Sequence, residues 1–205
     1  ELCIQFPKLV HSIYTSGDLD TSLLNNVDCY ACNNNEMERI SQFNSPSTMI
    51  GLFHEPVEKK FNPSERILVL ESIQDPGNLG TIIRTADWFG ITQIVASEDT
   101  VDVYNPKVIG ATMGSFMRVS VTYKNLAEWI PTVKLPVYGA LLEGENVFTI
   151  KAPQKGLLVI GSEGKGIREN ILEFITHPVT IPKIGDAESL NAGIAAGIIV
   201  AQLTR

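Results

Sequence analysis

Three cysteines in 205 residues are an odd set and too few for a disulfide scaffold of this size. Cys29-Tyr30-Ala31-Cys32 has the CxxC spacing of redox and zinc sites. A second ligand pair is not evident, since only Cys3 and His11 lie nearby upstream and His54 is far downstream, so the pair reads as two small residues at a strand end. Long apolar runs are also lacking. The longest, Ala192 to Ala201, falls well short of the roughly 20 residues of a bilayer span, and no membrane anchor is expected. Basic charge is scarce too. A net charge of −7 removes any bulk pull on nucleic acid and confines an RNA-binding reading to a local patch. The common nucleotide motifs fail: Lys165 is followed by Gly166 where a P-loop needs Ser or Thr, and GxGxxG follows no expected strand. Phosphate cradling of those two kinds is thereby excluded.

What is present describes an ordinary globular α/β chain, with a hydrophobic fraction of 44% and mean hydropathy near zero. The opening residue is Glu1 rather than Met, so further residues are expected ahead of it, and the stretch itself reads as cytoplasmic. The polar segment from Glu58 to Arg66 holds a Pro and reads as a linker, giving a small module over residues 1–60 and a larger domain over 61–205. In the module the pattern predicts a helix at Lys8 to Tyr14, strands near Asp28 to Ala31 and Thr48 to Phe53, and a helix at Asn35 to Ser41. In the larger domain, strand-like runs at Ile67 to Leu70, Gln93 to Ala96, Val119 to Val121, Val137 to Ala140, Leu157 to Ile160 and Val179 to Ile181 alternate with helical stretches. That alternation predicts a mostly parallel sheet with crossover helices. There is no internal repeat.

Three apolar runs each stop at a loop crowded with small and polar residues: Asp75-Pro76-Gly77-Asn78-Leu79-Gly80, Gly161-Ser162-Glu163-Gly164-Lys165-Gly166 and Gly185-Asp186-Ala187-Glu188-Ser189-Leu190-Asn191. Loops at the carboxyl ends of parallel strands form the ligand crevice, so the three point to one composite site. His11, His54 and His177 all lie outside them, which weakens triad hydrolysis, and a hydrolase with Glu163 as base has no visible partner. Each residue also has a plain structural reading. The expected helix Leu79 to Phe89 leaves Arg84 about 100° off the apolar stripe, free to enter a crevice or to pair with Asp87 for about 0.5 kcal/mol. Asn78 and Ser189 suit helix N-caps, and the glycines suit turns as well as close approach to a flat ligand. The final segment, Leu190 to Leu203, is apolar nearly all round and must be enclosed by core or by a second subunit.

Read together, Asp-Pro-x-Asn-x-Gly-x-x-x-Arg-x-Ala at 75–86, Val-Ile-Gly-Ser-Glu-Gly-x-Gly at 159–166 and Ile-Pro-x-x-Gly-x-x-x-Ser-Leu-Asn at 181–191 resemble, in order and spacing, the three signature motifs of the SpoU/TrmH family of RNA 2′-O-methyltransferases. The resemblance spans residues 66–205. More loosely, Glu38-Arg39-Ile40-Ser41 with a Pro soon after resembles the family's N-terminal RNA-binding module. It implies an α/β fold with a C-terminal trefoil knot of the SPOUT kind, an exception to the rule against threaded chains. It also implies S-adenosyl-L-methionine as cofactor, a homodimer, and RNA, most readily ribosomal RNA, as substrate. Transfer RNA, or a non-catalytic assembly protein that keeps the fold, are the alternatives. Mapped residue by residue, it places Arg84, Asn78, Glu163, Ser189 and Asn191 around the methyl acceptor. Cofactor contacts, largely backbone, fall on Ala140, Leu141, Leu142, Gly161, Gly166, Ile181 and Leu190. Arg84 is the family's proton acceptor by proposal. Because a guanidinium keeps its proton in proteins, holding an RNA phosphate and lowering the hydroxyl's pKa is an equal reading. No metal is required by that route. Two departures bear on the cofactor. Asn191-Ala192-Gly193 stands where many members have Asn-Val-Ser, and Lys183 where many have Met.

Overall fold

The computed structural model describes residues 2–18, 24, 27–43, 45–57 and 61–205, so residues 58–60 of the expected linker lie outside the described residues. The chain divides into two compact units, Glu1–Val57 and Glu58–Arg205.

In the first unit a short helix α1 (Leu2–Gln5) leads through a 3-10 turn into strand β1 (Val10–Thr15), followed by β2 (Asp28–Ala31), helix α2 (Asn34–Ile40) and β3 (Met49–Phe53). The strand order is β2-β1-β3, with β1 parallel to β2 and antiparallel to β3. The helix expected at Lys8 to Tyr14 is therefore a strand from Val10 onward. Val-His-Ser-Ile-Tyr-Thr carries β-branched and aromatic residues that fit a pleated surface, and pairing on both edges overrides its weak helical spacing. Asn33 caps α2 and Glu36 returns the bond, a capping box that sets the helix start. Cys29 lies on β2 and Cys32 just beyond it, both as free thiols.

The second unit runs β4 (Arg66–Leu70), α3 (Pro76–Trp88), β5 (Gln93–Ser97), α4 (Pro106–Thr112), β6 (Ser120–Lys124), α5 (Leu126–Trp129), β7 (Val137–Asn146), β8 (Gly156–Ile160), α6 (Glu169–Leu172), β9 (His177–Thr180) and α7 (Ala192–Leu203). Six parallel strands form one sheet in the order β6-β5-β4-β8-β7-β9. Both faces are covered, which is why the central strands read as continuous apolar runs. On β4, Leu68 and Leu70 pack with Leu79, Ile83, Ala196 and Ile199, while Ile67 and Val69 pack with Leu126, Ile130 and Ile171. The chain winds outward from β4 through β5 to β6, then crosses to the other half of the sheet. The carboxyl ends of the neighbours β4 and β8 thus flank the point where strand order reverses, the usual place for a ligand crevice.

Element ends depart from expectation in informative ways. Strand β7 runs six residues past Ala140, and both Ala140 and Glu145 pair with Val179, so residues 141–144 bulge out of the ladder. Strand β9 ends at Thr180, which leaves Ile181 in the following loop. Among the described residues no helix is long and apolar enough to cross a membrane.

Candidate functional site

Helix α3 begins where Asp75 accepts the Asn78 backbone N–H at 2.8 Å and Pro76 occupies the first turn. Asp75 is the cap, so the Asn78 side chain is released from the capping role its sequence suggests. Its Nδ2 donates to Glu163 Oε1 at 2.8 Å. Helix α7 begins in the same manner, with Asn191 rather than Ser189 as cap, accepting the Ile194 N–H at 3.2 Å. The amide of Asn191 then donates to Asn78 Oδ1 at 2.8 Å and to Glu163 Oε1, which also accepts the Ala192 N–H at 3.2 Å. One carboxylate oxygen is held by three donors drawn from two helix starts. Asn78 thus meets residues 85 and 113 positions further along the chain.

The Glu163 loop is closed by its own backbone. Ser162 N donates to Gly166 O at 3.1 Å and Gly166 N to Ser162 O at 2.9 Å, with Gly166 at φ +66. A Cβ on Gly161 would stand 2.2 Å from the Gly166 carbonyl carbon, so this position admits glycine alone.

Two expected residues stay outside the network. Arg84 is exposed, and the partner its sequence suggests is taken, because Asp87 pairs with Arg118 at 2.7 Å. Six residues along a helix also place Arg84 about 9 Å along the axis and about 120° around it from Asn78. Ser189 is exposed with no hydrogen bond among the described residues.

A cavity of about 340 Å³ opens beside the network, lined by Asn78, Glu163 and Ala192 together with Ser72, Asp99, Lys165 and Arg168. Glu71, fully buried at the end of β4, accepts from Arg168 Nε through Oε1, while its Oε2 has no partner. Arg168 Nη2 lies 3.4 Å from Asp99 Oδ1. Ser72 Oγ donates to Asp99 Oδ2 and Ser97 Oγ to Asp99 Oδ1, each at 2.6 Å. Burial alone would raise the Asp99 carboxyl, but the two serines and Arg168 outweigh it and hold it below the usual carboxylate range.

Comparison with known proteins bears directly on this arrangement. The profile of the SpoU rRNA Methylase family matches residues 65–201. The chain belongs to this family. A relative from Bacillus subtilis, named 23S rRNA (guanosine(2553)-2'-O)-methyltransferase RlmP, is 31% identical over 209 residues, covering 99% of this chain and 84% of that protein. A Porphyromonas gingivalis protein ascribed to the TrmH family matches with TM-score 0.84 at 31% identity, over 98% of this chain and 85% of that one. An AdoMet-bound rRNA methyltransferase from Sinorhizobium meliloti matches with TM-score 0.80 at 25% identity, over 95% and 79%.

The cofactor contacts that the resemblance implies fall on strand β7 and on the loops after β8 and β9. Ala140 and Leu141 are half-buried on β7, and Leu142, on its bulge, is 80% exposed. Ile181 packs against the core, and Leu190 is 45% exposed. Residues 183–190 form no backbone–backbone hydrogen bond among the described residues, so their amides and carbonyls are free for a ligand or water. Sequence reasoning missed Glu71, Ser72, Asp99 and Arg168. Their signal was positional: Glu71 and Asp99 are acids just past the carboxyl ends of β4 and β5, the same sheet end as the motifs.

Proposed function

We propose that the protein transfers a methyl group from S-adenosyl-L-methionine to a ribose 2′-hydroxyl of ribosomal RNA. The observation that carries this is the meeting of Asn78, Glu163 and Asn191 in one hydrogen-bonded network beside an open cavity, in a chain of the SpoU family. The Bacillus relative, a 23S rRNA 2'-O-methyltransferase, and the Sinorhizobium one, an AdoMet-bound rRNA methyltransferase, support ribosomal RNA and the cofactor.

S-adenosyl-L-methionine, when bound, supplies an electrophilic methyl on a sulfonium. The chain's residues do the rest. Backbone at Gly161, Gly166, Ile181 and Leu190, with Ala140, Leu141 and Leu142, forms the cofactor contacts. Asn78, Glu163, Ser189 and Asn191 position the acceptor ribose, because displacement at carbon needs the hydroxyl oxygen in line, and orientation alone supplies several kcal/mol. As the oxygen takes the methyl, its O–H bond must give up the proton. Arg84 serves this step either by holding the neighbouring phosphate and favouring alkoxide character while the proton passes to water, or as the acceptor in its neutral guanidine form.

The distance of Arg84 from the network within one chain supports an Arg84 that acts on the partner's site in a homodimer. Exposed Ile184, Leu190 and Ile194, on and beside α7, supply apolar surface for such a dimer. A C-terminal trefoil knot accords with the path from edge strand β9 back to the sheet centre, where α7 lies against α3. The N-terminal unit serves RNA binding. Its Tyr14 and Tyr30 rings stack at 5.2 Å with Tyr30 48% exposed, a platform on which a base can lie.

The test is methyl transfer from labelled S-adenosyl-L-methionine to ribosomal RNA from cells lacking the gene, with titration calorimetry of the cofactor alone. One site per subunit and ribose label are expected. No heat and no thermal shift at millimolar cofactor would overturn the enzyme reading and leave a non-catalytic RNA-binding role.

A further inference from the structure

A net charge of −7 leaves RNA binding to local cations, and two of them, Lys165 and Arg168, line the cavity beside the Glu163 network. Lys165 is exposed on a loop. Arg168 is held in place. Its Nε donates to Glu71, a carboxylate with no exposure at all, so the guanidinium is anchored along one edge while its side chain stays 47% exposed. Burying a carboxylate is costly, and what it yields here is a half-exposed cation with a fixed heading.

A guanidinium carries five N–H donors in a planar fork. Among the described residues Glu71 takes Nε, Asp99 Oδ1 lies 3.4 Å from Nη2, and Nη1 has no partner. The contact to Asp99 is well beyond the roughly 2.7–2.9 Å of a tight charge-assisted hydrogen bond. Donors are therefore left over on a residue that lines the cavity. Asp99 has the opposite character. Ser72 and Ser97 each donate to it at 2.6 Å, and Ser72 does so from the left-handed region at φ +55, where a serine is seldom found. Both of its oxygens are thus already engaged, and it stands by Arg168 as a counter-charge rather than as a close partner.

An anchored fork with donors to spare suits a pair of anionic oxygens, and on an RNA strand those belong to a backbone phosphate. We infer that Arg168 clamps a phosphate of the RNA strand whose ribose lies at the Glu163 network, and that Asp99 is the counter-charge beside Arg168 whose part this phosphate takes over. The inference rests on the methyltransferase reading for the presence of RNA and adds the residues that seat its backbone. Glu71 is the positioning residue behind Arg168. Asp99 also opposes indiscriminate binding, because a polyanion that makes no other contact meets its charge without compensation.

The experiment measures retention of labelled total ribosomal RNA by the full chain over a range of salt concentrations, with calorimetry of S-adenosyl-L-methionine alongside. Arg168→Lys keeps a charge against Glu71 but loses the fork, since one ammonium drawn to a buried carboxylate cannot also hold a phosphate. It is expected to weaken RNA binding about threefold to tenfold and to make log affinity against log salt shallower by about 0.7–0.9, the share of one phosphate contact. Cofactor affinity should stay within about twofold, because the substitution removes no cofactor contact. Glu71→Gln together with Arg168→Met leaves no buried charge alone and is expected to weaken RNA binding to the same extent. Asp99→Asn acts in the other direction. It keeps an acceptor for the serines, removes the competing charge, and is expected to tighten RNA binding about threefold at low salt. Lost packing would not give opposite signs at two neighbouring residues.

Unchanged RNA affinity and salt slope in both Arg168 variants overturn the clamp, and weaker RNA binding in Asp99→Asn overturns the counter-charge. Weaker cofactor binding with RNA affinity unchanged assigns the fork to the cofactor's carboxylate and overturns the phosphate. No retention of RNA by the unaltered protein overturns the inference outright. Retention with the expected variant effects, but without cofactor binding or methyl transfer, overturns the methyltransferase reading and leaves the clamp standing.

Discussion

Glu163 shows how much geometry one atom can hold, since its Oε1 takes the amides of Asn78 and Asn191 and the backbone N–H of Ala192. Interactions made only in the transition state lower turnover without weakening ground-state binding. Arg84→Ala and Asn78→Ala are accordingly expected to abolish methyl transfer, about 100-fold or more, with cofactor affinity within a few fold by calorimetry. Arg84→Lys separates two roles. Substantial activity indicates electrostatic help, near-zero activity a demand for the guanidinium fork, and wild-type turnover in Arg84→Ala would show that Arg84 does not serve the reaction. Gly161→Ala has a different target. Its methyl would meet the Gly166 carbonyl carbon at 2.2 Å, so the loop must open, and loss of cofactor binding with the rest of the chain folded is the expected result. Gly193 has a packing reason of its own, because a Cβ there would stand 3.2 Å from Thr81 Cγ2 on α3.

Between elements, the Glu71–Arg168 pair ties the end of β4 to the segment after the Glu163 loop. Removing one partner of such a pair leaves a buried charge alone, and Arg168→Ala is expected to destabilise the domain by about 3 kcal/mol in urea unfolding. Glu71→Gln together with Arg168→Met should recover part of that stability, since the uncompensated charge is gone. Tyr123 makes the corresponding tie on the far side of the sheet, accepting from Val103 N at 2.7 Å and donating to Val101 O at 2.9 Å. Burial pushes its phenol up to about 12, against a smaller lowering by the Val103 N–H. The folded chain therefore keeps a proton that the unfolded chain releases near pH 10. The stabilisation is complete below about pH 10 and is lost as the pH rises through about 12. Denaturant melts across that window should show the decline, and Tyr123→Phe should flatten it.

At the scale of the whole molecule, helix α7 buries Ala192, Ala196, Ile199, Val200 and Leu203 in its own domain and leaves Ile194 54% exposed. An apolar helix covered on one face wants a partner for the other. A dimer is expected by light scattering at micromolar concentration. Ile194→Asp should reduce the mass to the 22.5 kDa monomer and, if Arg84 serves the partner's site, remove activity with it. Mixing Ile194→Asp-free Arg84→Ala and Asn78→Ala proteins should restore part of the activity, because one site of the mixed dimer then holds both native residues.

The amino-acid sequence alone determined the parallel α/β core and the three polar, glycine-rich loops that meet in the Glu163 network. Apolar runs covered on both faces and glycine-rich loops leave local, contiguous signals, and β4, β5 and β8 stand where those signals put them, while α3 begins three residues before the expected Leu79 because Asp75 caps it. Tertiary structure decided what each polar residue does. Asn78 and Ser189 both looked like caps, yet Asp75 and Asn191 hold those places, because cap geometry depends on where the helix meets its neighbours. The strand at Val10–Thr15 and the bulge at 141–144 arise from pairing with distant strands, which local spacing does not encode. Glu71, Asp99 and Arg168 belong to no motif, and meet only because three parallel strands end on the same side of one sheet, a juxtaposition made by topology rather than by sequence separation.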